Sequence, residues 1–304
     1  MTEVSVVIPT RGRPDLIGRA LRSVLANDHP DFDVFVIDQS DDDATGAVVR
    51  ELALVDARVH YVHTTPPGLS RAYNLGARLA AAPILAFTDD DCVARTDWVT
   101  AIAAAFAEHS DADMLYGAVA LPAELRETAG VVPVLPMPMA RLDRRNGFRI
   151  YGMGANFALR RGLLERIGGF DEILGGGGPL RSSQDFDLQY RAYLADAVVL
   201  LRPDVSVDHY GLRTGPQWPA TLRAYNFGNG AFYMKHIRCG DMRAARMLFS
   251  GLAWMVGRQL RHLVDRERAS QVAMIAAVIE GVRASLRYPV DRAKRLYLPL
   301  GGAT

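Results

Sequence analysis

At 304 residues, with 49% hydrophobic and 23% charged content, the chain falls among ordinary soluble globular proteins of one large domain or two smaller ones. Its only cysteines, Cys92 and Cys239, form no CxxC and no Cys/His cluster, which argues against a disulfide framework or a zinc site. The start, Met1-Thr2-Glu3-Val4, has no basic, signal-like segment and no run reaches the ~18–20 apolar residues of a membrane span, so a reducing, cytoplasmic setting is expected.

Val4 to Pro9 is a β-branched run closed by proline, the pattern of a first buried strand. The loop Thr10-Arg11-Gly12-Arg13 follows. Pro14 suits the first turn of a helix, in which Ile17, Leu21 and Val24 recur at helical spacing up to the stop Asn27-Asp28-His29-Pro30. The unit then repeats with a strand over 32–38, a helix over 45–54 and a strand over 59–62. After Pro66-Pro67-Gly68 a helix over 70–82, with Ser70 near its cap, leads to an apolar strand that ends in Asp89-Asp90-Asp91. Strands alternating with helices predict an α/β fold with a doubly wound, mainly parallel sheet. No GxGxxG occurs here, so a dehydrogenase-type dinucleotide fold loses its main support.

Beyond the acidic run, Thr96-Asp97 caps a predicted helix to about His109, and 114–119 reads as a strand. Residues 120–150, with four prolines and several arginines, read as an irregular excursion able to move over a site. A short helix is predicted over 160–167. Phe186, Tyr190, Tyr193, Leu194 and Ala197 share one helical stripe, which puts Asp185 in the first turn of a further helix, behind the flexible run Gly175 to Gly178. Residues 197–202 and 205–207 read as a hairpin-like pair ending at Asp208-His209-Tyr210. From Thr221 the pattern is helical. Residues 221–304 hold 14 Lys/Arg against 5 Asp/Glu, while residues 1–220 hold 21 against 29, so the net charge of +1 conceals two parts expected to do different jobs. Met247 to Gly257 is apolar or small throughout and lies between Arg243/Arg246 and Arg258/Arg261. It is too short to cross a bilayer but fits an anionic membrane surface, a core or a dimer.

An apolar strand that ends in three carboxylates places them where open α/β sheets bind their ligands. Adjacent carboxylates repel one another. A hard cation, Mg²⁺ or Mn²⁺, bridging them to an anionic ligand such as a diphosphate would give them a reason to be together; a solvated acidic turn is the alternative. Phe87-Thr88-Asp89-Asp90-Asp91, Gly168-Gly169-Phe170-Asp171, Gln184-Asp185 and Gly68-Leu69-Ser70-Arg71-Ala72-Tyr73-Asn74 stand in an order that resembles the family 2 glycosyltransferases of the GT-A fold, over roughly residues 3 to 210.

The resemblance implies a GT-A domain, a Rossmann-like sheet flanked by helices, over 1–215, with a nucleotide-sugar half at 1–95 and an acceptor half at 96–215, followed by a basic, helical C-terminal region at 216–304. It implies that Pro9, Thr10 and Asp38 line the nucleotide base, with Asp38 accepting an imide N–H, and that Arg11, Arg13 and Arg71 approach the base or the diphosphate. Asp89 would reach the ribose or the metal, Asp90 would stand beside it, and Asp91 would bind Mn²⁺ or Mg²⁺. His209 would supply a further metal or phosphate contact, and Gly152, Gly154 and Asn156 would let backbone approach the donor sugar.

Asp185 would be the general base in a single, inverting displacement. Relatives usually carry Glu-Asp where this chain has Gln184-Asp185, a change that keeps the base and removes one charge. Asp187, about 200° away on the helix, is expected to matter less. The expected partners are a nucleotide-diphosphate sugar, UDP-linked, and a glycan, lipid-linked or small-molecule acceptor. Either an anionic membrane at its inner face or a second copy is expected for the C-terminal helices, and no nucleic acid. The rival readings are a noncatalytic sugar-nucleotide or glycan-binding module on the same fold and a nucleotidyltransferase, which would release pyrophosphate.

Overall fold

The computed structural model describes residues 2–264 and 271–301; the parts of the expected C-terminal region at 265–270 and 302–304 lie outside the described residues. The chain groups into two compact units, Met1–Phe170 with Leu188–Thr214, and Asp171–Asp187 with Gly215–Thr304.

The first unit opens with β1 (Val4–Thr10), α1 (Pro14–Leu25), β2 (Phe32–Asp38), α2 (Ala44–Val55), β3 (Val59–His63), α3 (Leu69–Leu79) and β4 (Ile84–Thr88). It continues with β5 (Cys92–Ala94), α4 (Trp98–Glu108), β6 (Met114–Ala120), β7 (Ala140–Leu142), β8 (Asn156–Arg160), α5 (Arg161–Ile167), most of α6 (Gln184–Leu194) and β9 (Val199–His209). Among the described residues these nine strands form one sheet in the order β3-β2-β1-β4-β8-β6-β9-β5, with β7 against β9. β1 pairs parallel with β2 and β4, β2 with β3, and β6 with β9; β8 runs antiparallel to β4 and β6, as β5 and β7 do to β9.

Burial on both faces explains the unbroken apolar runs. Val4, Val6 and Ile8 pack with Ile17, Leu21 and Val24 of α1 and Trp98, Ile102 and Phe106 of α4. Val7, on the opposite face, joins Tyr73 and Ala77 of α3, Leu163 and Ile167 of α5, and Leu188 and Ala192 of α6. Because β1, β2 and β4 are parallel and nearly in step, Val4 standing opposite both Phe32 and Ile84, their carboxyl ends Thr10, Asp38 and Thr88 open on the same edge. This is the α/β architecture expected from the alternation of strands and helices.

Local expectations differ in four places. The hairpin-like pair is one continuous strand, β9: Arg202 and Asp204 join side chains at 2.7 Å across Pro203, and a register shift between Gly117 and Ala118 of β6 absorbs the extra residues as a bulge. Residues 120–150 are not wholly irregular, since β7 pairs with β9 and Asp143 closes a capping box on a short turn at Arg144–Asn146. α3 begins at Leu69 with Gly68 as its N-cap, and Ser70 is buried within the first turn. α6 ends at Leu194, so Ala197 is buried beyond the helix.

The second unit comprises residues 171–187 with the first turn of α6, α7 (Gln217–Arg238), α8 (Met242–Val264), α9 (Val272–Ser285) and the antiparallel pair β10 (Val290–Asp291) and β11 (Leu296–Tyr297). Ile173, Leu174, Leu180, Phe227, Ala231, Ala277 and Tyr297 form its core. α7 and α9 approach backbone to backbone at glycines. A Cβ on Gly230 would stand 2.0 Å from the Val278 carbonyl oxygen, and one on Gly281 1.8 Å from that of Phe227. Beside this core, Lys235 Nζ lies 2.6 Å from both Asp171 Oδ2 and Asp187 Oδ1, and His236 Nε2 lies 3.0 Å from Asp187 Oδ1, with all four side chains buried. This cluster accounts for a departure from the expected division of the chain: 171–187 group with the C-terminal helices and not with the strands. Among the described residues no helix is long and apolar enough to cross a membrane.

Candidate active site

The acidic run leaves β4 at Thr88 and turns at once into β5, whose antiparallel pairing sets Cys92 opposite His209 of β9. The turn is therefore fixed on both sides. Thr10 Oγ1, at the end of β1, donates to Asp90 Oδ2 at 2.8 Å. Arg13 Nη1, at the start of α1, donates to Asp90 Oδ1 at 2.8 Å and reaches Asp91 Oδ2 at 3.4 Å. Both oxygens of Asp90 are thus engaged by the chain, and Asp90 ties the β1 loop to the acidic turn.

Asp91 faces the other way. His209 Nε2 lies 3.3 Å from Asp91 Oδ1, and Arg213 Nη2 lies 4.0 Å from Asp91 Oδ2. His209 Nδ1 is 2.7 Å from the Pro133 carbonyl oxygen and donates its proton there, which aims Nε2 at Asp91. Burial works to raise the Asp91 carboxyl, but the His209 hydrogen bond and the charges of His209, Arg13 and Arg213 outweigh it and hold Asp91 below the usual carboxylate range. Burial likewise works to lower His209, and its bond to Asp91 raises it above 6.5 on balance. Asp89 accepts from Tyr73 Oη at 3.0 Å, yet burial, followed by the charge of Asp91, pushes it up to about 7.

The donor set fits a hard divalent cation. Asp91, Cys92 and His209 bring ligand atoms within 4.8 Å of one another. Burial, followed by the charges of Asp89 and Asp91, holds the Cys92 thiol well above its ordinary range, so it stays protonated and leaves carboxylate and imidazole as the ligands. Gly211 keeps the approach open: a Cβ there would stand 2.5 Å from His209 Nε2 and 2.8 Å from Asp91 Oδ2.

Thr10, Arg13, Asp89, Asp90, Asp91 and His209 are thus brought together. Of the other expected residues, Asp38 ends the neighbouring strand opposite Thr10. Arg11 turns to the surface, where Nη2 meets Asp41 at 2.9 Å. Asp38 is fully buried, accepting from Ser40 through N–H and hydroxyl and from Tyr61 Oη at 2.9 Å. Pro9 is buried in β1, and Arg71 sits in the first turn of α3. The Gly154 carbonyl oxygen lies 3.4 Å from Tyr73 Oη.

The Asn156 side chain is spent inside the core: its Oδ1 accepts from Trp98 Nε1 at 2.9 Å and its Nδ2 donates to the carbonyls of Ala118 at 2.8 Å and Val205 at 3.0 Å, so what it could offer a donor sugar is its backbone. Asp185 is half-buried in the first turn of α6, where Asp187 is fully buried.

Four contributors escaped sequence reasoning. Tyr73 reads as one more apolar position of α3. Arg213 and Gly211 follow His209 closely but match no pattern, and the Pro133 carbonyl has no signal in a sequence at all.

The family model for "Glycosyl transferase family 2" matches residues 5–168. The validoxylamine A glucosyltransferase of Streptomyces hygroscopicus subsp. jinggangensis is 37% identical over 118 residues, 38% of this chain and 28% of that protein. The GalNAc(5)-diNAcBac-PP-undecaprenol beta-1,3-glucosyltransferase of Campylobacter jejuni is 31% identical over 93 residues, 30% of each chain. The chain therefore spans under a third of the length of these relatives. Among solved structures, S. aureus TarS 1-349 in complex with UDP-GlcNAc superposes with a TM-score of 0.60 at 20% identity, covering 76% of this chain and 66% of that one. The Pyrobaculum calidifontis mannosyltransferase PcManGT, in complex with GDP-Man and Mn2+, gives 0.54 at 19% identity over 93% and 87%. A family model that spans more than half of the chain, on a fold shared with these solved structures, establishes that the chain belongs to glycosyl transferase family 2.

Proposed function

We propose that the protein is a metal-dependent, inverting glycosyltransferase that moves a sugar from a nucleoside-diphosphate donor, with UDP as the nucleotide, to an acceptor hydroxyl. The observation that carries this reading is the Asp91–His209 pair at the carboxyl edge of the sheet, held by Arg13, Arg213 and the Pro133 carbonyl and left uncovered by Gly211. Asp91 and His209 Nε2 would hold Mn²⁺ or Mg²⁺, with Asp89 beside them. When bound, the cation neutralises the charge that builds on the departing diphosphate. Arg13, which pairs with Asp90 and Asp91, would supply positive charge to the same anion.

Asp185 would take the acceptor proton as the acceptor oxygen attacks the anomeric carbon. The bond from that carbon to the diphosphate oxygen breaks in the same step, and the nucleoside diphosphate leaves from the opposite face. What supports Asp185 over Asp187 is exposure: Asp185 retains access to solvent, whereas Asp187 is buried against Lys235 and His236. The relatives' names, a glucosyltransferase for validoxylamine A and one for an undecaprenol-linked glycan, support a hydroxyl acceptor.

The test incubates the full chain with UDP-linked sugars and Mn²⁺ and follows free UDP. Slow release that stops with EDTA supports the reading. Release of pyrophosphate, or release that EDTA leaves unchanged, would replace it.

A further inference from the structure

Two residues between the glycine run and α6 hold left-handed backbone without being glycine: Arg181 at φ 70° and Ser183 at φ 69°. Such a conformation costs free energy in any residue with a side chain and persists only where the surroundings over-determine it. Where the same loop needs freedom alone it uses glycine, at Gly175 with φ 98° and Gly177 with φ 75°. The side chains at 181 and 183 therefore have a use, and both are spent on α7. The Arg181 guanidinium lies 4.3 Å from the centre of the Phe227 ring, and Ser183 Oγ donates to Asn229 Oδ1 at 2.9 Å.

Between them Ser182 lies directly on the helix. Its Oγ donates to the Ala224 carbonyl at 2.9 Å, and a Cβ on Gly228 would stand 2.1 Å from that hydroxyl oxygen and 2.8 Å from the Ser182 carbonyl oxygen. Further along α7, Lys235 and His236 hold the Asp187 carboxylate. Ser183 and Asp187, both buried, thus stand two residues either side of the half-buried Asp185, so α7 fixes the backbone that carries its carboxylate. Apolar packing does not call for this arrangement, because Leu180 and Phe227 already belong to one core without it.

We propose that Asn229, acting through the Ser183 hydroxyl, is a positioning residue for the transfer reaction: it holds the left-handed turn from which α6 starts and so sets the direction of Asp185. The C-terminal helix α7 is then the seat of the base and not an appendage. The proposal rests on the reading of Asp185 as the group that takes the acceptor proton.

The experiment compares the full chain with Asn229→Ala, Asn229→Asp, Ser183→Gly and Asp185→Asn, reading UDP release from UDP-glucose and UDP-GlcNAc with Mn²⁺, UDP affinity and the unfolding midpoint. Asn229→Ala removes the accepting oxygen. Ser183→Gly removes the hydroxyl and takes up left-handed backbone more readily than serine does. Both should lower turnover ~10- to 10²-fold, the scale of a catalytic group displaced by ~1 Å, with UDP affinity unchanged and, for Ser183→Gly, an unfolding midpoint close to that of the wild type. Asn229→Asp keeps the accepting oxygen and should recover most of the turnover. If Asp185→Asn is impaired while Asn229→Ala and Ser183→Gly turn over like the wild type, the proposal falls and the transfer reading stands. Loss of UDP affinity or stability in step with turnover, or an Asn229→Asp no better than Asn229→Ala, would assign Asn229 to holding the fold and overturn the proposal as well. Normal turnover by Asp185→Asn, or none by the wild type, would remove both readings together.

Discussion

Replacing Lys235 by Met would remove the ammonium that lies between two buried carboxylates. Lys235, Asp171 and Asp187 are all fully buried or nearly so, and the ammonium lies 2.6 Å from an oxygen of each. Asp171 Oδ2 also accepts from the Tyr297 backbone at 2.9 Å, which ties β11 to the same point. An exposed pair lost in this way costs ~0–1 kcal/mol, because water takes over both partners. Here no water replaces the ammonium, and breaking a buried pair by removing one member costs ~3–5 kcal/mol. Asp187 keeps the His236 ring and Asp171 keeps the Tyr297 backbone N–H, so the cost falls within that range and not above it. Against a total of ~5–15 kcal/mol for a folded domain this is a large fraction. Urea and thermal unfolding followed by circular dichroism, on wild type and Lys235→Met, measure it directly. The double variant Lys235→Met with Asp187→Asn should recover part of the loss, since it removes one of the two buried negative charges. A cost under ~1 kcal/mol for Lys235→Met would refute the reasoning, because it is the value of a solvated pair.

Asp185→Asn should leave the unfolding midpoint nearly unchanged and lower turnover by at least ~10²-fold, while Asp187→Asn should lose stability, a role apart from the smaller one in turnover expected for it; steady-state rates and thermal melts on both variants check this. Gly211→Ala, which presses a methyl to 2.5 Å from His209 Nε2, should weaken Mn²⁺ binding by ~10–100-fold, read by titration calorimetry, with little loss of stability. The metal-free protein should lose stability as pH rises through neutrality. Asp89 goes from an ordinary 3.8 to about 7 in the fold and His209 is raised above 6.5, so the folded state holds protons that the unfolded state has released, and that advantage disappears as pH climbs through the folded values. Mn²⁺ should therefore raise the melting temperature more at pH ~8 than at pH ~6, since at the lower pH it must displace those protons.

The acidic turn was legible because its signal is local: a buried strand that stops at three carboxylates. Thr10 and Arg13 were named through the resemblance, and the parallel register accounts for their place, since it sets the end of β1 beside the end of β4. His209 was reachable only through the resemblance, since its partners are the Pro133 carbonyl and Asp91, and nothing near it in sequence announces either. The partners of the Asn156 side chain were hidden for a related reason: Trp98 and two carbonyls from other strands enclose it, and none is near it in sequence. Asp187 shows the limit of helical geometry: its direction on α6 was readable, but the lysine and histidine it points at lie on α7. The hairpin reading of 197–207 failed because Pro203 breaks the apolar pattern without breaking the strand.

The measurement closest to the central claim is the affinity for UDP, by calorimetry or thermal shift, of wild type and Asp91→Asn, each with Mn²⁺ and with EDTA. The wild type should bind UDP in the presence of Mn²⁺, with ~2.7 kcal/mol of added stability at 100 times the dissociation constant, and lose most of that binding in EDTA. Asp91→Asn should show only the weak, metal-independent remainder while unfolding as a folded protein does. Equal UDP affinity in all four conditions would contradict the account.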